Sequence, residues 1–299
     1  MNLLNDLKTG IIQGDFRILA RALTLVENDI EPASTLLKLL QINTDAPVLG
    51  ITGPPGAGKS TLVNAITANF VALNKKIAIL AIDPTSPFNF GALLGDRIRM
   101  VQQFNNPNVF IRSVATRGNL GGVSAKTLAM VDVLKASNFD LILIETVGVG
   151  QSEVEIAGLA EKTVVVLVPE SGDEIQNIKS GLMEIAQAFV VNKADRDGAT
   201  TFANNLKKMV HQYQHLIPVF KTVAHKNQGI TELCNWLITQ NTVPNNRKTI
   251  LLAEKAFQII QHHYTKTINK EKLIAAVKKA TLEPNFNVYD FAYSWIKHS

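Results

Sequence analysis

The stretch from Val48 to Ile66 constrains this chain more than any other. Pro47-Val48-Leu49-Gly50-Ile51-Thr52 is short, apolar and strand-like. Gly53-Pro54-Pro55-Gly56-Ala57-Gly58-Lys59-Ser60 completes a G-x-x-x-x-G-K-[ST] phosphate-binding loop, and Thr61-Leu62-Val63-Asn64-Ala65-Ile66 continues with helical spacing. Strand, glycine loop and helix in that order turn the pattern into a mechanism. The glycines let backbone N–H groups curl around a polyphosphate, Lys59 is placed to bridge the β- and γ-phosphates, and the Ser60 hydroxyl is placed to hold Mg²⁺. Four fixed positions arise by chance in about one chain in a hundred of this length. The flanking strand and helix remove most of those accidents. Gly53, Gly56, Ala57, Gly58, Lys59, Ser60 and Thr61 are therefore the candidate triphosphate-binding residues, with Lys59 also a catalytic candidate.

Around this loop the chain alternates apolar runs with helical stretches. Strands are expected over Val48–Thr52, Lys76–Ile82, Val109–Val114, Leu141–Glu145, Val164–Pro169, Phe189–Asn192 and Val219–Val223. They are almost continuously hydrophobic, as befits a parallel sheet covered by helices on both faces. Helices are expected over Lys59–Leu73, Val123–Ala136, Ile175–Ala186, Thr200–His215 and Ile230–Thr239. The expected fold is α/β: a P-loop NTPase with a mostly parallel sheet flanked by helices, and with N- and C-terminal helical extensions. Residues 1–45 form the first extension, with a turn at Asn28–Pro32 and a second helix over Ser34–Gln41. Residues 46–243 form the nucleotide domain and 244–299 a C-terminal helical arm. Nucleotide belongs at the carboxyl edge of such a sheet.

Three segments at strand ends carry further chemistry. Leu141-Ile142-Leu143-Ile144-Glu145 is an apolar run ending in an acid, able to hold Mg²⁺ directly or through water on the far side from Ser60. Three residues on, Gly148 lets its N–H approach the γ-phosphate. Asn192-Lys193-Ala194-Asp195 has the N-K-x-D form that reads guanine. The Asp195 carboxylate accepts from N1–H and the exocyclic amine, which adenine cannot reproduce, while Asn192 and Lys193 brace the loop and the ring face. The segment selects GTP over ATP. Asp83 ends the second strand and precedes a Pro- and Gly-marked stretch carrying Asp96. That stretch has the make-up of a switch, and Asp96 can equally be a helix N-cap or a surface acid. Arg117, in the loop Thr116–Gly122, can reach phosphate or another protein, or lie at the surface.

Charge and cysteine content narrow the alternatives. The formal net charge is +5, with the basic excess mostly after Lys207 and without interleaved aromatics, so a solvated helical surface is expected rather than a nucleic-acid footprint. A lone cysteine, Cys234, leaves no internal disulfide. No stretch has the length of a membrane span and the N-terminus does not look like a leader, so a soluble cytoplasmic protein is expected.

These motifs together closely resemble the MeaB/ArgK P-loop GTPases, G-protein chaperones of adenosylcobalamin-dependent methylmalonyl-CoA mutase. The resemblance runs from about Leu19 to Gly229. It includes Ala20–Glu27, the phosphate loop, Asp83-Pro84-Thr85-Ser86-Pro87 through Leu94-Gly95-Asp96-Arg97, and Arg117-Gly118-Asn119-Leu120-Gly121-Gly122. It continues through Glu145–Glu153, Gly172-Asp173 with Gln176 and Lys179, and Asn192–Asp195. It implies GTP/GDP as ligand and Mg²⁺ bound among Ser60, Asp83, Asp96 and Glu145, with Asp83 and Glu145 also catalytic. It implies a slow GTPase that gates cofactor loading and protects a partner mutase, and a homodimer joined through the C-terminal helices. Asp173, Gln176 and Lys179, three apart and so sharing one helical face, are implied to couple the partner to the nucleotide. The loop that usually holds Ser-Ala over guanine reads Thr222-Val223-Ala224-His225, keeping the Ala224 backbone contact without the serine. Two other readings compete. A metal-insertion GTPase needs a His/Cys cluster, and no histidine precedes His211. A transport-linked kinase or ATPase, the lysine/arginine/ornithine label of some family members, needs ATP.

Overall fold

The computed structural model describes residues 3–42, 46–83, 103, 105–115, 125–146, 156–170, 182–211, 217–239, 253, 256–257, 259–261, 263–283 and 285–298. The chain divides into two compact units, Met1–Leu251 and Leu252–Ser299.

Unit one is built on seven strands: β1 (Val48–Thr52), β2 (Ile77–Asp83), β3 (Val109–Ala115), β4 (Leu141–Thr146), β5 (Lys162–Leu167), β6 (Ala188–Val191) and β7 (Val219–Lys221). Their order is β3-β2-β4-β1-β5-β6-β7, and every pairing is parallel. All seven fall where the apolar runs predict them. β1 sits between β4 and β5: the chain passes β4 on its way from β1 to β2, and crosses β1 itself on its way from β4 to β5. That is where the carboxyl ends open a crevice.

Side chains along each strand alternate between two covered faces. On one face, Ala78, Leu80, Ile142 and Ile144 pack against α1 (Leu3–Gln13), α2 (Phe16–Asn28), α3 (Ala33–Leu39) and α5 (Ala125–Lys135). Further along it, Val165, Leu167, Phe189 and Val191 pack against Phe202, Leu206 and Val210 of α7 (Ala199–His211), which follows the short α6 (Leu182–Ile185). On the other face, Leu49, Ile51, Ile77, Ile79 and Val164 meet α4 (Lys59–Ala72) and α8 (Ile230–Ile238). Fully burying one Leu or Ile contributes about 1.5–3 kcal/mol, so Leu62, Ile66 and Leu233, all inaccessible, anchor these two helices firmly.

The N-terminal helices thus share the main core. Their periodicity hides a break: Gly14 adopts φ 73°, and Asp15 caps α2 by accepting from the Arg17 and Ile18 amides. Glu27 of α2 accepts from the Arg112 guanidinium of β3 at 2.6 Å, with both side chains mostly buried. Phe16, Phe110 and Phe139 pack in one cluster with centroids 5.4–6.2 Å apart, Phe16 edge-on to Phe110 and stacked on Phe139. Gly50 of β1 is needed for close approach, because a Cβ there would lie 2.7 Å from Ile156 in the 3-10 turn Ile156–Gly158.

Unit two contains α9 (Lys270–Ala280) and α10 (Val288–His298), as the apolar spacing of the tail predicts. Asn269 caps α9 by accepting from the Lys272 amide. Leu282, Tyr289, Tyr293 and Ile296 are all well exposed.

A candidate nucleotide site at the carboxyl edge of the sheet

The phosphate loop leaves β1 through three positive-φ glycines, Gly53 (139°), Gly56 (77°) and Gly58 (84°). Gly53 is forced: a Cβ would lie 2.1 Å from the Val166 carbonyl oxygen of β5. Gly58 caps α4, whose first turn leaves N–H groups without intrahelical partners and so forms an anion site. Lys59 is buried and donates to the Gly53 and Pro54 carbonyl oxygens at 2.7 and 3.0 Å. Its ammonium therefore lies inside the curl of the loop.

Ser60 Oγ donates to Glu145 Oε1 at 2.6 Å, a length typical of a hydroxyl on a carboxylate, with both residues over nine-tenths buried. The expectation set these groups on opposite sides of an ion; the structure puts them in direct contact. The cause is topological. β4 pairs directly with β1, with Ile51 opposite Glu145, so the acid at the end of β4 falls beside the first turn of α4. Thr146 Oγ1 donates to Thr52 Oγ1 at 3.0 Å and ties the two strand ends together. Asp83 closes β2, one strand beyond β4 on the same edge, with Ile82 opposite Thr146. Asp96, Gly148, Arg117, Asp173, Gln176 and Lys179 lie outside the described residues.

The second half of the site is clipped together by Asn192. Its amide nitrogen donates to Ala57 O at 2.9 Å, and its amide oxygen accepts from Thr222 Oγ1 at 3.1 Å and from the Ala224 amide at 3.2 Å. One buried side chain thus joins the phosphate loop, the β6 loop and the β7 loop. Lys193, in the left-handed region at φ 54°, donates to Gly56 O at 2.7 Å. Asp195 faces outward and pairs with Lys226 at 3.0 Å. That hydrogen bond holds its carboxyl below the usual carboxylate range. Arg196 pairs with Glu170. The N–H of Ala224, expected to face a base, is the one that bonds Asn192. Thr52, Thr146, Thr222 and Lys226 belong to the site and were not foreseen; no spacing rule links residues so far apart.

This arrangement can hold a polyphosphate on the loop, place hard oxygen ligands beside it and present a carboxylate to a ring. A family model described as methylmalonyl-CoA mutase-associated GTPase MeaB matches residues 19–282. The chain belongs to the MeaB family. A Pyrococcus abyssi protein named as a GTPase is 48% identical over 239 residues, 77% of this chain and 74% of that one. GTPase ArgK of Escherichia coli is 36% identical over 244 residues, 77% and 73%. The mouse mitochondrial protein named methylmalonic aciduria type A homolog is 36% identical over 250 residues, 76% and 60%. A crystal structure titled LAO/AO transport system kinase superposes with TM-score 0.66 at 25% identity, covering 95% of this chain and 89% of that one. This MeaB-family chain is a GTPase with a P-loop fold, and it binds GTP and GDP. Among the described residues no helix is long and apolar enough to cross a membrane.

Proposed function

We propose that this GTPase serves as the nucleotide-driven chaperone of an adenosylcobalamin-dependent mutase of the methylmalonyl-CoA class, gating cofactor loading and protecting the mutase. The observation that carries this reading is the family match over residues 19–282, whose description names that association. The mouse relative, named for methylmalonic aciduria, supports it.

Residue roles follow from the chemistry of the site. The loop Gly53–Gly58, with Lys59, Ser60 and Thr61, cradles the phosphates, and the Lys59 ammonium offsets charge developing on the β,γ-bridge. Ser60 and Glu145 form a buried set of hard oxygen donors, which fits Mg²⁺, and Asp83 and Asp96 complete the acids around it. When bound, Mg²⁺ neutralises charge on the phosphate oxygens. Asp83 and Glu145 act in catalysis by orienting the reacting oxygens, and Gly148 donates its N–H toward the γ-phosphate. Asp195 accepts from guanine, braced by Asn192 and Lys193, with Ala224 in the adjoining backbone. Asp173, Gln176 and Lys179 carry the partner's presence to the nucleotide.

The domain reading is a nucleotide core over 46–243 between helical extensions, 1–45 and 244–299. The well-exposed apolar residues of Leu252–Ser299 support a homodimer through these C-terminal helices. Partners among nucleic acids or membranes are not part of this reading, and the location is cytoplasmic. The transport-kinase reading requires ATP, which leaves Asp195 without N1–H to accept from.

The test is adenosylcobalamin uptake by a purified apo-mutase, read from cobalamin absorbance, with this protein added in its GTP and GDP states. Uptake that differs between the two states supports the reading. Uptake indifferent to both protein and nucleotide overturns it.

A further inference from the structure

Lys226 stands on a turn that the fold holds tightly. Val223 and Gln228 form an antiparallel bridge with N···O distances of 3.1 and 3.3 Å. Ala224–Lys226 make one 3-10 turn, the Lys226 amide donating to Val223 O at 2.9 Å, and Asn227 closes it at φ 55°. Gly229 follows at φ 72°, where a Cβ would lie 2.1 Å from Lys221 O. The loop bearing Asp195 is fixed too. Ala194 N donates to Thr222 O at 3.0 Å, and Arg196 N donates to Lys193 O at 3.0 Å. Two restrained backbones are therefore bridged at their tips by one ion pair, Lys226 Nζ to Asp195 Oδ2 at 3.0 Å.

A carboxylate offers two oxygens and about four lone-pair directions. An ammonium on one oxygen occupies a single direction. Guanine presents two donors side by side, N1–H and the 2-amino group, and needs both oxygens in one plane. With Lys226 attached, the Asp195 side chain still keeps 34% of its surface exposed, so the contact does not close it off. We propose that Lys226 is a positioning residue for the base: it stays on Asp195 Oδ2 while guanine binds and sets the carboxylate plane that receives both guanine donors. This rests on the reading of Asp195 as the guanine acceptor. The opposing possibility, a plug that the base must expel, carries the opposite sign in binding.

Ionisation supports the geometry. Lys226, through its hydrogen bond, and His225 beside it hold the Asp195 carboxyl below its usual range. Arg196, the next cation along the loop, is paired with Glu170. Without the ammonium, the carboxyl moves back toward the ordinary range and protonates at higher pH.

The test is calorimetric titration of the full chain with GDP and with IDP, which lacks the 2-amino group. The variants are Lys226→Met, Lys226→Arg and Asp195→Asn. Lys226→Met should weaken GDP about two- to fivefold, as for loss of an exposed ion pair, and weaken IDP less, lowering the GDP-to-IDP preference. Lys226→Arg should restore that preference. Tighter GDP binding by Lys226→Met, or an unchanged GDP-to-IDP preference, overturns the proposal. Asp195→Asn binding GDP like wild type would instead defeat the underlying assignment of Asp195.

Discussion

Replacing Gly53 by alanine puts a methyl group where the fold has no room for one. The new Cβ would lie 2.1 Å from the Val166 carbonyl oxygen, and ordinary contact begins at 3.4 Å, so the β1 and β5 ends must separate by about 1.3 Å. That oxygen belongs to the backbone of a central strand, paired on its other side with β6. Overpacking a tight interior costs about 1–3 kcal/mol. Holding a non-glycine residue at φ 139° costs about 1–3 kcal/mol more. The sum is about 2–6 kcal/mol of lost stability. Gly56→Ala is the internal control. Its φ is 77° and nothing lies within 4 Å of the added carbon, so it meets only the left-handed penalty of about 1–2 kcal/mol. Urea unfolding followed by circular dichroism, with both variants on one denaturant scale, measures the difference. Gly53→Ala should lose clearly more stability than Gly56→Ala. Equal losses, or the reverse order, would refute the assignment of Gly53 to close approach rather than to simple loop freedom.

Two further outcomes follow from the same site and its surroundings. Lys59→Ala should lower GTP turnover by at least a hundredfold, because it removes the ammonium that donates to the Gly53 and Pro54 carbonyl oxygens inside the loop; turnover like wild type in a phosphate-release assay would contradict the site. Cys234, buried in α8, has its thiol pushed up to about 12 by burial, so at about pH 8 it should ignore a thiol reagent in the folded protein and react promptly in urea.

Much of this molecule can be read from residue order because its strands are covered on both faces. Val48–Thr52, Leu141–Thr146 and Ala188–Val191 are plain apolar runs, and the loop after each carries its own motif. β5 begins two residues earlier than its apolar run suggests because Lys162 does not behave as a surface charge. Its ammonium caps the end of α8 by donating to the Trp236, Leu237 and Thr239 carbonyl oxygens, and it lies 4.9 Å from the Trp236 ring centroid. Burial pushes its pKa below that of a free lysine. The break at Gly14-Asp15 was marked by a glycine and a capping acid, yet the apolar periodicity on either side ran through it. The contacts that assemble the site are another matter. Ser60 with Glu145, Asn192 with Ala57, and Lys226 with Asp195 join elements far apart in the chain, which the strand order brings to one edge of the sheet. Local spacing carries no record of such pairs.

The most direct test of the central claim is the steady-state GTP hydrolysis rate of the purified chain, alone and with a purified adenosylcobalamin-dependent methylmalonyl-CoA mutase. The chain alone should turn over slowly, and its rate should climb to saturation as mutase is added. A rate unchanged at saturating mutase would contradict it.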